Sequence, residues 1–246
     1  MSLTITMLTI QQFLRSKSIY VVLGISLLAA VLALIGQLAP GEESIRDLRD
    51  VFVVLNQNLI AATLLPMAIL VLATSAIGDE LEDRTMQYLA LKPISRFRIV
   101  FEKLLAVTIV LIPITWFGIA VTWAITAFGN FDALRDLLWP ALASSLVAIL
   151  GFGSLFMLLS MLTQRALLIG VFYVFVWETT LSRFLQGIRS ISIRHFTQSM
   201  FVRLVDDRRI ALDGASAEAT VIFTTISLLL ICTLLATWRL RVMSLE

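Results

Sequence analysis

Few residues in this 246-residue chain suit catalysis or metal binding. There is one cysteine and one histidine. Cys232 stands inside an apolar run, has no internal disulfide partner, and belongs to no Cys/His metal spacing. His195 lies in a polar connection and reads as a loop residue. The phosphate-binding pattern G-x-x-x-x-G-K-[ST] is absent, so ATP has no site of that kind. Charge is scarce as well. Only 15% of residues are charged, against about a quarter in soluble domains. The 19 basic and 17 acidic side chains leave a net charge of +2, and no basic cluster interleaved with aromatics suggests nucleic acid. An intramembrane protease or metal hydrolase would need acid/base pairs or several ligands within its apolar runs, and these are missing.

What is abundant is apolar surface: 59% hydrophobic residues and a mean hydropathy of +0.95. Charges punctuate it into long runs. Ser18–Gly41, Val51–Gly78, Leu104–Phe131, Leu137–Gln164 and Ala219–Trp238 carry none, and Ala166–Ser182 carries only Glu178. About 20 apolar residues cross a hydrocarbon core of about 30 Å as a helix, and barrel strands would be far shorter and alternating. The sequence therefore predicts one all-α membrane domain over residues 1–246. Its six spans fall near 18–39, 51–77, 104–129, 138–162, 166–182 and 219–238, the fifth being short and acid-bearing.

No charged n-region precedes the first run, so the start does not read as a cleaved signal peptide. Leu3, Met7, Ile10 and Leu14 recur at helical spacing, predicting an amphipathic helix in the membrane interface. Basic residues divide nearly evenly between the two sides. Lys17, Lys92 and Lys103 nevertheless share one side, and the short loops 42–50 and 132–136 opposite are net acidic. That favours both termini inside.

The segment between spans two and three is the most informative. Asp79, Glu80, Glu82 and Asp83 crowd its first turn, where the helix dipole favours acids, and Lys92 and Pro93 close it. Leu81, Thr85, Met86 and Leu89 share a face. Two antiparallel helices need only about 2–8 linking residues, so the longer segment and its apolar stripe call for the membrane surface or a partner. Ser95 is placed to cap the next helix, beginning at Arg96.

This segment resembles the cytoplasmic loop of ABC-2 type transporter permeases. The family shows an acidic residue, a Gly-Thr pair, a Leu pair, a Pro-containing turn and a Gly-Lys pair at the third span. Glu80, Thr85, Leu89, Pro93, Ile94-Ser95-Arg96 and Lys103 correspond, while Arg84 and Glu102 stand where glycine is usual. The resemblance implies the transmembrane subunit of an ABC transporter, usually an exporter, in a multi-pass prokaryotic plasma membrane. It implies pairing with a second copy or a related permease and with ABC ATPase subunits that bind ATP and Mg; this chain would hold no cofactor and be no enzyme. A coupling helix carrying Glu80, Leu81, Glu82, Asp83, Arg84, Thr85, Leu89, Pro93, Ser95 and Arg96 would dock on the ATPase. The alternative is an ATP-independent, ion-coupled carrier or channel-like subunit.

Glu178 is the sole acid within a span, either in a pathway or outer gate or, where span five ends early, at the outer interface beside Arg183 or capping the following turn. Asn56, Gln57 and Asn58 either line that pathway or bond across helices. In the connection 183–218, Phe184, Leu185, Ile188 and Ile191 with Arg183, Arg189 and Arg194 suggest a short surface helix. The resemblance implies short helices here that dip back into the membrane, and the arginines would anchor to lipid phosphates or meet an anionic substrate.

Overall fold

The computed structural model describes residues 4–38, 44–82, 95–181 and 192–242, apart from 206, 208, 211 and 213. The described residues are helical with no strand, as expected where lipid offers backbone groups no hydrogen bonds and each helix must satisfy its own. A short helix α1 (Thr4–Arg15) precedes α2 (Ser18–Gln37). The next span begins as α3 (Ile45–Val54), winds as a π-helix, π1 (Leu55–Leu64), and continues as α4 (Leu65–Glu82). Then come α5 (Arg96–Thr126), α6 (Phe131–Leu162), α7 (Ala166–Phe172) running into a second π-helix, π2 (Tyr173–Leu181), α8 (Ile193–Val205) and α9 (Glu218–Val242). Five of these stretches are long and apolar enough to cross a bilayer: Ser18–Gln37, Ile45–Gly78, Arg96–Thr126, Phe131–Leu162 and Glu218–Val242. The α7–π2 segment is shorter.

Helices extend past the uncharged runs because their ends are capped by polar groups. Ser44 and Asp47 form a reciprocal capping box at the start of α3, which brings Ile45–Asp50 into the helix. The π winding stops just before Pro66. A proline ring strikes the carbonyl four residues back in an α-helix, and the wider π turn relieves that contact at Ala62.

We call the end of the bundle at Glu82, Arg96 and Leu162 the loop end, and the opposite end the far end. At the far end Arg49 of α3 forms a bidentate pair with Asp136 of α6, at 2.7 and 2.8 Å, and also donates to the Ala133 carbonyl. Asp207 lies 3.6 Å from the same guanidinium. Gln37 donates to the Thr126 carbonyl, joining α2 to α5.

Helix α6 is the centre. It packs on α4, α5, α8 and α9, and its Phe152 and Phe156 are fully buried and stacked. Helix α2 is peripheral, burying only Val22, Ala29, Ala30 and Ala33, and closes tightly on α5. A Cβ on Gly118 would lie 2.5 Å from the Ser26 carbonyl oxygen, so only glycine permits this approach.

Along α1 the residues buried against α5 are Ile5, Thr6, Thr9 and Phe13, while Met7 and Leu14 of the apolar stripe are exposed. One expectation changes. His195, expected in a loop, is on α8 and buried. Helix α8 has no clean apolar stripe because its inward face is polar: Arg194, His195, Thr197, Gln198 and Ser199 are all buried. The surface helix expected around Arg183, Phe184, Leu185, Ile188, Arg189 and Ile191 lies outside the described residues.

Candidate functional site

Of the loop residues expected to meet an ATPase, Glu80, Leu81 and Glu82 continue α4 as helix. Asp83, Arg84, Thr85, Leu89 and Pro93 lie outside the described residues. Ser95 is at the N-cap of α5 and exposed. Its hydroxyl makes no capping bond, and its carbonyl instead accepts from Ile99 N–H at 3.2 Å. That corrects the side-chain cap expected there. Arg96 follows, with Nη1 buried and without a hydrogen-bond partner.

The foot of α5 holds two successive buried charges. Glu102 Oε2 accepts from the backbone N–H of Ile5 at 3.0 Å and of Thr6 at 3.3 Å, and Oε1 accepts from Arg98 Nε. The Thr6 hydroxyl donates in turn to the Glu102 carbonyl at 3.2 Å. A carboxylate at orphan N–H groups of a helix start satisfies them and complements the dipole. Glu102 thus caps α1. Lys103 has no exposed surface and donates from Nζ to the Ala76 carbonyl at 2.6 Å, joining α5 to α4 six residues before the last described residue of that helix. In sequence, Glu102 registered only as a departure from a glycine. Its i, i+4 spacing from Arg98 was the available signal.

Glu178 occupies a comparable position deeper in the bundle. Its side chain is fully buried and accepts from Tyr173 Oη at 2.8 Å, from the Ser192 hydroxyl, and from the backbone N–H groups of Ile193 and Arg194 at 3.2 and 3.3 Å. The Ser192 hydroxyl accepts from His195 N–H at 3.2 Å. Glu178 and Ser192 therefore satisfy the first three N–H groups of α8. Arg194 Nη1 also donates to the Glu178 carbonyl.

That helix start is deep. A Cβ on Gly151 would lie 2.9 Å from Ile193 Cγ2, and Gly151 stands about 30 Å along α6 from Phe131 at 1.5 Å per residue. Helix α8 therefore starts inside the bundle. Exposed N–H groups there would cost several kcal/mol in hydrocarbon, and the Glu178 cap removes that cost.

Asn56 is buried in π1, whereas Asn58, two residues on, is exposed. They face different surroundings and are not brought together around Glu178. Gln57 is the link: its carbonyl accepts from Gln198 Nε2 of α8 at 2.8 Å, while its own side-chain amide nitrogen and oxygen are buried without partners. On the other flank of α8, His195 Nε2 lies 3.2 Å from the Gly214 carbonyl, Ser216 N–H donates to Ser199, and Arg203 reaches the carbonyls of Ala215 and Ser216. Gly214 turns there with φ +71°, a conformation that favours glycine. No group of His, Cys, Asp and Glu among the described residues could hold a metal ion.

The arrangement is a multi-pass helical bundle with polar stitching at two levels and an extra helix set into its far half. No curated protein matches the chain. The family described as "ABC-2 family transporter protein" matches residues 3–241, nearly its whole length, and the chain belongs to that family.

Proposed function

We propose that this chain is the permease subunit of an ATP-driven ABC exporter. ATP and Mg would be bound and hydrolysed by separate ABC ATPase subunits, and a second copy of this chain or a related permease would complete the pathway. The family match over residues 3–241 carries this reading. The loop end is then cytoplasmic, both termini face the cytoplasm of the cell membrane, and α7–π2 counts as the sixth span. Helix α1 lies at the inner interface with Met7, Leu8 and Leu14 toward lipid.

Glu80, Leu81, Glu82, Asp83, Arg84, Thr85, Leu89, Pro93, Ser95 and Arg96 would make up the coupling segment that meets the ATPase. At the outer side α8 serves as the gate, held closed by Glu178, with Asn56 beside it in π1 and Asn58 turned toward the second subunit. The donors gathered on Glu178 disfavour an ion-coupled carrier, because that carboxylate is already engaged as a helix cap.

The test is purification of tagged chain from its native membrane, followed by reconstitution with whichever ATPase accompanies it. Co-purification, and transport that stops when ATP is replaced by a non-hydrolysable analogue, are expected. Transport by the chain alone, driven by an ion gradient in ATP-free vesicles, would overturn the reading.

A further inference from the structure

We propose that Glu102 is a positioning residue for energy coupling, latching α1 to the foot of α5 so that the interfacial helix moves with the ATPase-driven loop. This rests on the function proposed above and adds an element to its moving parts.

The first turn of α1 is held to the bundle at one place. Thr6 and Ile5 present their N–H groups to a single oxygen, Glu102 Oε2, and the Thr6 hydroxyl reaches the carbonyl of the same residue. Among the described residues, the hydrogen bonds that tie the first turn of α1 to α5 therefore all end on one residue. Glu102 is only 2% exposed, so water does not screen these bonds as it would at a surface. Arg98, one turn earlier, holds the other carboxylate oxygen and fixes its direction.

The second part is the neighbour. Lys103 is buried beside Glu102 and grips the Ala76 carbonyl of α4. Successive residues on a helix point about 100° apart, since 3.6 residues make a turn. Glu102 and Lys103 therefore reach two different neighbours from one point on α5. Any displacement of α4 as it enters the loop is carried by Lys103 to α5, and by Glu102 on to α1. Without the Glu102 carboxylate, only the Thr6 hydroxyl bond to the residue-102 carbonyl and the apolar contacts of Ile5 and Phe13 remain to carry α1 along.

The test uses the intact permease–ATPase complex in nanodiscs, in a C232S background, with spin labels at Q12C on α1 and F97C on α5. In the parent complex the label distance should stay constant between the nucleotide-free and the ATP-plus-vanadate states. In E102L it should shift or broaden between them. Substrate-stimulated ATPase should fall about fivefold or more, the lower end of common coupling effects, with basal ATPase and complex yield unchanged. E102Q keeps the side-chain volume and one acceptor oxygen, so it should lie between E102L and the parent.

Unchanged distances and unchanged stimulation in E102L would overturn the proposal. If E102L fails to assemble, E102Q decides: parent-like stimulation and distances would reduce Glu102 to a fold contact and overturn the proposal, whereas partial loss at full assembly supports it. A parent chain that binds no ATPase would refute the functional reading itself, an outcome separate from either variant result.

Discussion

The ammonium of Lys103 lies 2.6 Å from the carbonyl oxygen of Ala76, with no exposed surface on the lysine. The bond joins α5 to α4 close to where α4 passes toward the loop. A carbonyl inside a helix has a second lone pair free for such a donor, so the contact leaves the helix bond of Ala76 in place. Replacing the lysine removes a charged hydrogen bond and also leaves a gap in packed surroundings. K103A should therefore lower stability by roughly 1.5–3 kcal/mol, the range for hydrogen bonds involving charged groups. Thermal unfolding in detergent reads this directly. K103M, which retains most of the volume, should recover part of the loss.

Glu178 makes a sharper case because its partners are backbone groups that cannot turn elsewhere. E178A would strand the N–H groups of Ile193 and Arg194 inside the bundle, each unsatisfied group costing about 1–3 kcal/mol. The expected signature is local. Hydrogen exchange at residues 193–195 should accelerate strongly, while the amides of α6 around Phe152 and Phe156 remain protected. E178Q retains one acceptor oxygen and should fall between. Uniform acceleration across α6 and α8 together would mean that α8 has no separate opening and is no gate.

How much of this was legible in the residues depended on which force shaped each part. The long spans were legible because lipid demands uninterrupted apolar helix, and charge-free runs report that demand directly. Their ends were not, because caps such as Ser44 with Asp47 extend a helix through charged residues. Helix α8 was implied by the family resemblance but not legible from the residues themselves, for a related reason. Its buried residues Arg194, His195, Thr197, Gln198 and Ser199 face polar groups of π1, π2 and the 214–216 turn, so the apolar period that marks a helix is absent. Glu178 drew notice as a lone acid in a span, but its role depends on a helix start fourteen or more residues away. Glu102 was visible only as a mismatch, since its partners Ile5 and Thr6 are nearly a hundred positions distant.

Two glycines separate close packing from mere flexibility. At Gly118 a Cβ would meet backbone atoms of Ser26, the nearest at 2.5 Å, whereas at Gly24 nothing lies within 4 Å. G118A should push α2 from α5 and destabilise by roughly 1–3 kcal/mol, as overpacking does. G24A should be neutral or raise stability by roughly 0.5–1 kcal/mol, through the better helix propensity of alanine. Thermal melts of the two variants in the same detergent check both signs. Equal effects would show that the α2–α5 approach is looser than the structure has it.

Charge reversal in the loop tests the docking surface without disturbing the spans. Glu80 and Glu82 follow Ile69, Leu70, Leu72 and Ile77, which are fully buried, along α4. E80K or E82K should therefore leave insertion and expression unchanged. An acid facing a basic or dipolar groove on an ATPase contributes chiefly through long-range attraction, so its reversal turns attraction into repulsion. ATP-dependent transport is expected to fall about tenfold or more, equivalent to at least 1.36 kcal/mol. Part of that loss should return when a basic groove residue on the ATPase is changed to an acid. The rescue matters more than the loss, because a damaged loop cannot be repaired from the partner's side. Variants that transport normally would move the docking surface away from these acids, toward Arg96 and the turn before α5.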